Sequence, residues 1–139
     1  MKSDIHITSD IKLMDVDVIY RFLTRSYWAK GRSRKDVLRS MQHSYCFALL
    51  KGKSTIGFAR VVSDEVVFAY IMDLFIRPVF RGKGYSKMLM DFMINSPKLA
   101  GVQKWMLATK DTQDLYRKFN FEVMEDPRKY MQMNKKKKN

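Results

Sequence analysis

The stretch from residue 66 to residue 94 constrains the fold more than any other part of this 139-residue chain. Residues 66–76 are rich in β-branched and aromatic side chains and end at Arg77-Pro78. Proline lacks the N–H that a sheet ladder needs, so the strand stops there. Arg81-Gly82-Lys83-Gly84-Tyr85-Ser86 follows, and then Tyr85, Met88, Leu89, Phe92 and Met93 recur at helical spacing. A buried strand therefore runs through a glycine turn into the N-terminus of an amphipathic helix. Two glycines allow backbone conformations closed to other residues and remove side chains that would block close approach. The first turn of a helix has unpaired N–H groups and a positive dipole end, to which Arg81 and Lys83 add full charges. On physics alone the turn is a diphosphate site or a plain strand-to-helix connection. Neither the Gly-Lys-Ser/Thr of a P-loop nor the third glycine of the dinucleotide fingerprint is present.

The rest of the chain reads as a single domain, 1–134, followed by a basic tail, 135–139, expected to be disordered. Residues 5–8 alternate as a short strand, 16–27 carry apolar positions at helical spacing, and Ser33 with Asp36 starts a second helix running to about Gln42. Residues 45–50 and 56–62 form a hairpin about the turn 51–54. Residues 105–108 read as a strand, 111–119 as a short helix, and 121–124 and 130–133 as two final strands. The predicted order β-α-α-β-β-β-α-β-α-β-β describes an α/β fold: a mixed sheet flanked by helices.

Composition narrows the function without choosing it. No apolar run is long enough for a membrane span, and the N-terminus lacks the hydrophobic stretch of a secretory signal. Cys46, the only cysteine, lies in an apolar segment and reads as a buried small hydrophobe in a reducing cytoplasm, not as a nucleophile. Lys and Arg outnumber Asp and Glu by 27 to 14, a net charge of +13 that attracts any anionic partner. Nucleic acid, anionic lipid and a polyphosphate cofactor all fit that excess.

The glycine turn resembles motif A of the GNAT superfamily of N-acetyltransferases, Q/R-x-x-G-x-G/A, with Arg81, Gly84 and Ser86 at its specified positions. Ser86 replaces Gly or Ala. Leu115-Tyr116-Arg117-Lys118-Phe119-Asn120-Phe121 looks like the family's F/L-Y-E-K-x-G-F, with Asn120 at the glycine position. Asn is the next-best residue for a left-handed conformation. Further resemblance to small bacterial-type GNAT proteins extends through Ser26-Tyr27-Trp28-Ala29-Lys30-Gly31-Arg32, Gly57-Phe58-Ala59-Arg60 and Pro127-Arg128-Lys129-Tyr130-Met131.

The resemblance implies a GNAT fold of about six to seven strands and four helices, and a cytoplasmic enzyme that moves an acetyl group from acetyl-CoA directly to a primary amine. It assigns cofactor binding to Leu74, Phe75, Ile76, Arg81, Gly82, Lys83, Gly84, Tyr85 and Ser86, with Thr109 where many relatives carry Asn. Tyr116 matches the general acid. Asp73 is a candidate base, or a solvated acid that orients the acceptor. Tyr27, Trp28 and Arg32 fall where the fold shapes the acceptor site. His6 and His43 read as structural, and no metal is expected. The acceptor is an unidentified amine of a small molecule or peptide. A homodimer is compatible with the sequence, and membrane and nucleic acid are not expected as partners. The alternatives are a non-catalytic basic nucleic-acid-binding module and a regulatory protein that binds acyl-CoA without turnover.

Overall fold

A computed structural model describes residues 4–135 of the chain. Its elements in order are β1 (Ile5–Thr8), α1 (Val16–Arg25), α2 (Arg34–Gln42), β2 (Tyr45–Lys51), β3 (Ser54–Ser63), β4 (Phe68–Ile76), α3 (Tyr85–Ile94), β5 (Lys104–Leu107) and α4 (Gln113–Arg117). Short 3-10 turns occupy Ile11–Leu13, Pro78–Phe80 and Pro127–Lys129. One five-stranded sheet runs β1-β2-β3-β4-β5, antiparallel except for the parallel pair β4-β5.

The alternation of side chains along β2 and β3 sorts the core into two layers. Cys46, Ala48, Leu50 and Phe58 face α1 and α2, where Ile19, Leu23, Val37 and Met41 meet them. Phe47, Ala59, Val61, Ala69 and Ile71 face the other way, onto Leu89, Met90 and Met93 of α3 and Tyr116 of α4. Among the described residues, no helix is long and apolar enough to cross a membrane.

Local chemistry sets the boundaries. Helix α1 starts where the Asp15 carboxylate accepts from the N–H groups of Asp17 and Val18. It stops two residues short of the predicted Tyr27, because Ser26 turns extended and its hydroxyl donates to the Leu23 carbonyl at 2.7 Å. The same oxygen accepts from the Ala29 N–H, which swings Tyr27 and Trp28 off the helix. Ser33 caps α2 by accepting from the Asp36 N–H. Strand β4 begins two residues later than its composition suggests. The Asp64 carboxylate accepts from the N–H groups of Val66, Val67 and Phe68, and a local turn takes donors that a ladder would have used.

The observed order agrees with the predicted one as far as α4, and the sheet then ends at five strands instead of six to seven. Among the described residues, 121–124 and 130–133 form no strand. Their alternation finds no face to bury against: Met131 and Met133 are 96% and 78% exposed, and Pro127 starts a 3-10 turn between the segments. A cavity of about 810 Å³ lies between this C-terminal segment, β5 and α4. Of the predicted tail, residues 136–139 lie outside the described residues.

Cys46 is buried, its thiol donates to the Met41 carbonyl, and burial pushes its pKa up to about 12 from 9.0. The unfolded thiol releases its proton near 9.0, so the contribution of Cys46 to stability is fully present below that pH and is lost as the pH rises toward about 12. Each pH unit in this window weakens the fold by about 1.4 kcal/mol. Cys46→Ala removes this contribution, and its stability curve between pH 9 and pH 11 is expected to fall less steeply than that of the parent in urea titrations.

Candidate active site

Strand β4 is irregular at one point. Phe58 pairs with Phe75 and Arg60 with Met72, so Asp73 and Leu74 together oppose the single residue Ala59. This is a β-bulge, and Asp73 takes it up with a left-handed φ of 59°. Aspartate is one of the few non-glycine residues that enter this region at modest cost. A bulge bends the strand, and the pairing of β4 with β5 ends at Ile71 and Leu107. Beyond it, among the described residues, 72–76 have no strand partner on the β5 side. Phe75 and Ile76 are themselves buried, with Phe75 stacked on Phe22 at 4.0 Å between centroids. What they present to the opening is therefore main chain.

Asp73 is buried and is not the solvated acid of the sequence reading. Its Oδ1 accepts from the Trp28 indole N–H at 3.0 Å. Its Oδ2 accepts from Arg32 Nη1 and Arg60 Nε, each at 2.7 Å. Arg60 also donates to the Ser44 hydroxyl, 3.0 Å away. Three chain segments, the loop after α1, strand β3 and strand β4, thus meet on one carboxylate. Sequence reasoning placed Asp73, Trp28 and Arg32 in the site but assigned no role to Arg60. The available signal was a lone charge inside the apolar run 56–62 of a strand buried on both faces.

The connection from β4 to α3 is built as the sequence suggested. Gly82 and Gly84 have φ of 79° and 78°, and a Cβ on either would meet no atom of the described residues within 4 Å. Backbone conformation, not crowding, therefore selects glycine at both positions. Gly84 occupies the N-cap of α3, where no side chain caps the helix and no acid sits in the first turn. The helix end is open to an anion. Arg81 Nε donates to the Ile76 carbonyl at 3.0 Å and ties the turn back to the end of β4.

Tyr116 lies on α4 opposite the bulge and is 9% exposed. Burial raises its phenol above the ordinary tyrosine value, as does the neighbouring Tyr27, while a hydrogen bond with Thr112 acts in the opposite direction. The phenol therefore keeps its proton through the neutral range and into the alkaline one. Asn120 ends the block with φ of 70°, as its glycine-like position requires, and the Phe121 N–H closes onto the Tyr116 carbonyl. The Thr109 hydroxyl is engaged within its own loop, 2.7 Å from that of Thr112 and accepting from the Thr112 N–H.

A cavity of about 680 Å³ joins these parts. Of the residues singled out from sequence, Tyr27, Trp28, Arg32, Asp73, Leu74, Phe75, Ile76, Arg81, Ser86, Thr109 and Tyr116 line it. Gly82, Lys83, Gly84 and Tyr85 do not, and Tyr85 packs toward Leu49, Ile56 and Ile76. Tyr70, Met72 and Thr112 also line it and were not anticipated.

Comparison with known proteins agrees with this architecture. Residues 16–121 match the acetyltransferase (GNAT) family. A solved GNAT-family structure from Xanthomonas campestris pv. campestris has a TM-score of 0.90 at 37% identity, covering 94% of this chain and 92% of that one. The uncharacterized N-acetyltransferase ycf52-like protein of Prochlorococcus marinus is 32% identical over 108 residues, which make up 71% of this chain and 57% of that protein. The uncharacterized N-acetyltransferase ycf52 of Porphyra purpurea is 34% identical over 106 residues, 72% of this chain and 59% of that protein. The chain thus spans less than two thirds of either curated relative. A Clostridium acetobutylicum structure solved with acetyl-CoA shares the fold, with a TM-score of 0.69 at 16% identity. The chain belongs to the acetyltransferase (GNAT) family.

Proposed function

We propose that this protein is an acetyl-CoA-dependent N-acetyltransferase acting on a primary amine. The observation that carries this reading is a single cavity lined by the free edge of β4, by Arg81 and Ser86 at the two ends of the turn before α3, and by Tyr116. The uncapped N-terminus of α3, two glycines at positive φ and the cations Arg81 and Lys83 suit the pyrophosphate of the cofactor. Main-chain groups of Leu74, Phe75 and Ile76 suit pantetheine, and an N–H near Phe75 or Ile76 suits the oxygen of the acetyl carbonyl. One such donor lowers the barrier by about 2.7–4 kcal/mol in other acyl-transfer sites.

In the reaction the neutral amine nitrogen bonds to the acetyl carbon, the carbon–sulfur bond breaks, and the proton shed by the nitrogen passes to solvent, which afterwards restores the proton of Tyr116. Tyr116, protonated and beside the cavity, gives its proton to the departing thiolate. Asp73 suits holding Trp28 and Arg32 better than taking the proton of the amine, because both its oxygens already accept from other groups.

Gly84→Ala tests the turn. The substitution forces an L-residue to φ of 78°, with an expected stability loss of about 1–2 kcal/mol. Acetyl-CoA affinity by calorimetry is expected to fall at least tenfold. Unchanged affinity in the folded variant would remove the turn from the cofactor site.

The function itself is tested by following thiol release from acetyl-CoA with a panel of amines and peptides, beside CoA and DNA binding across a salt series. Acetyl-CoA binding with amine-dependent thiol release is the expected result. CoA binding without transfer to any amine would favour a regulatory protein. Tight DNA binding with a steep salt slope, and no CoA binding, would overturn the reading in favour of a basic nucleic-acid module.

A further inference from the structure

The cluster below the acceptor side of the cavity is one negative charge short. Asp73 carries the only carboxylate in it, and two guanidinium groups, Arg32 and Arg60, both end on Asp73 Oδ2. Arg60 is 8% exposed and spends its other hydrogen bond on Ser44. It does not line the cavity. Arg32 is different: it is 20% exposed, lines the cavity, and makes a single hydrogen bond through Nη1. Among the described residues its Nε and Nη2 have no protein partner. The other charged groups on the cavity wall do not supply the missing anion. Arg81 is tied to the Ile76 carbonyl, and Asp111 is exposed beside Lys110, which sits over the Tyr27 ring.

A partly buried guanidinium with an uncommitted donor pair calls for a planar, two-oxygen, singly charged acceptor. A carboxylate satisfies that geometry and brings the cluster to neutrality with Arg32, Arg60 and Asp73. A phosphate, with nearly two charges, overcompensates. A polyamine or an aminoglycoside brings further positive charge to a site already in excess. Asp73 directly precedes Leu74 and Phe75, so Arg32 stands one to two residues, about 4–7 Å of strand, from the main-chain edge of the opening. The carboxylate and the reacting amine must therefore be close in the acceptor, as they are on one α-carbon. Around this point Phe22, Tyr27, Trp28 and Tyr70 supply aromatic wall. They suit the apolar side chain of such a molecule.

We infer that Arg32, held in place by Asp73, is the carboxylate anchor of the acceptor site, and that the acceptor is a free α-amino acid. The inference rests on the acetyltransferase reading for its chemistry, but the anchor itself is a binding property. The test uses the twenty L-amino acids and the same set as α-amides. Binding to the CoA-saturated and CoA-free protein is measured by calorimetry, and thiol release from acetyl-CoA by spectrophotometry. At least one acid is expected to bind the wild-type protein at least tenfold more tightly than its amide, with kcat/KM following the same order. Arg32→Gln is expected to abolish the preference by raising the KM of the acid with kcat within a few-fold. Arg32→Lys, which keeps charge but not the fork, is expected to recover part of it.

Equal binding of acids and amides to wild-type protein would overturn the anchor while leaving acetyl transfer to other amines intact. Preserved discrimination in folded Arg32→Gln would overturn it as well. If CoA fails to bind, the acetyltransferase reading falls. An acid-over-amide preference in the CoA-free protein would then still support the anchor, and its absence would overturn that too.

Discussion

Asp73→Asn is expected to lower the melting temperature by about 10 °C and to remove most activity. Asparagine is chosen because it tolerates the left-handed φ of 59° that the bulge imposes, so the change reads charge rather than backbone strain. Removing one partner of a buried ion pair costs about 3–5 kcal/mol, because the remaining charge is left without compensation. Here two guanidinium groups lose their shared carboxylate at once. Partial exposure of Arg32 relieves some of this and sets the expectation near 3 kcal/mol, which corresponds to the stated shift for a domain of this size. Pairing the substitution with Arg60→Gln is expected to recover part of the loss, since it removes the charge that would otherwise stay buried. Scanning calorimetry of the two single variants and the double variant gives the coupling directly. A shift below about 3 °C for Asp73→Asn would mean that the cluster contributes little to the fold.

Tyr116→Phe carries the second large effect. The ring stays, with its edge against Phe121 at 6.1 Å between centroids, so the fold and acetyl-CoA affinity are expected to change little. In the proposed mechanism the thiolate would then leave unprotonated, and the loss of a positioned general acid is expected to lower kcat by about 100-fold or more. The pH profile separates this role from packing. The phenol is held above its ordinary value by burial, so its donor form is fully present at neutral pH and disappears only as the pH climbs past the usual tyrosine range. Wild-type kcat is therefore expected to rise as the amine loses its proton and to fall only above about pH 10, whereas the variant shows no such fall. Equal turnover in the two proteins would remove Tyr116 from the mechanism.

How much of this could be read from sequence depends on the range of the interactions involved. Gly84 at the N-cap of α3, Ser33 at the start of α2 and Asn120 at its left-handed turn are local devices whose residue types state their conformation. All three were legible. The register slip that sets Asp73 and Leu74 against Ala59 was not, because a bulge depends on how two strands meet rather than on either alone. The meeting of Trp28, Arg32, Arg60 and Asp73 spans 45 residues of chain and hid the burial of Asp73. A carboxylate next to a cofactor strand reads as a base until its partners are seen. The two missing strands were misread for the opposite reason. Residues 130–133 alternate correctly, but alternation predicts a strand only where a sheet face waits to receive it.

The bare N-terminus of α3 has a consequence beyond anion binding. Glycine in place of a capping side chain costs roughly a few tenths of a kcal/mol, and the free protein bears this loss permanently. A ligand that supplies the cap recovers that loss within its binding free energy, and because it binds only the folded state it stabilises the protein by about 2.7 kcal/mol at a hundredfold excess over Kd. Resistance to unfolding and to proteolysis then becomes a readout of ligand supply, and the polypeptide is most durable when its ligand is abundant.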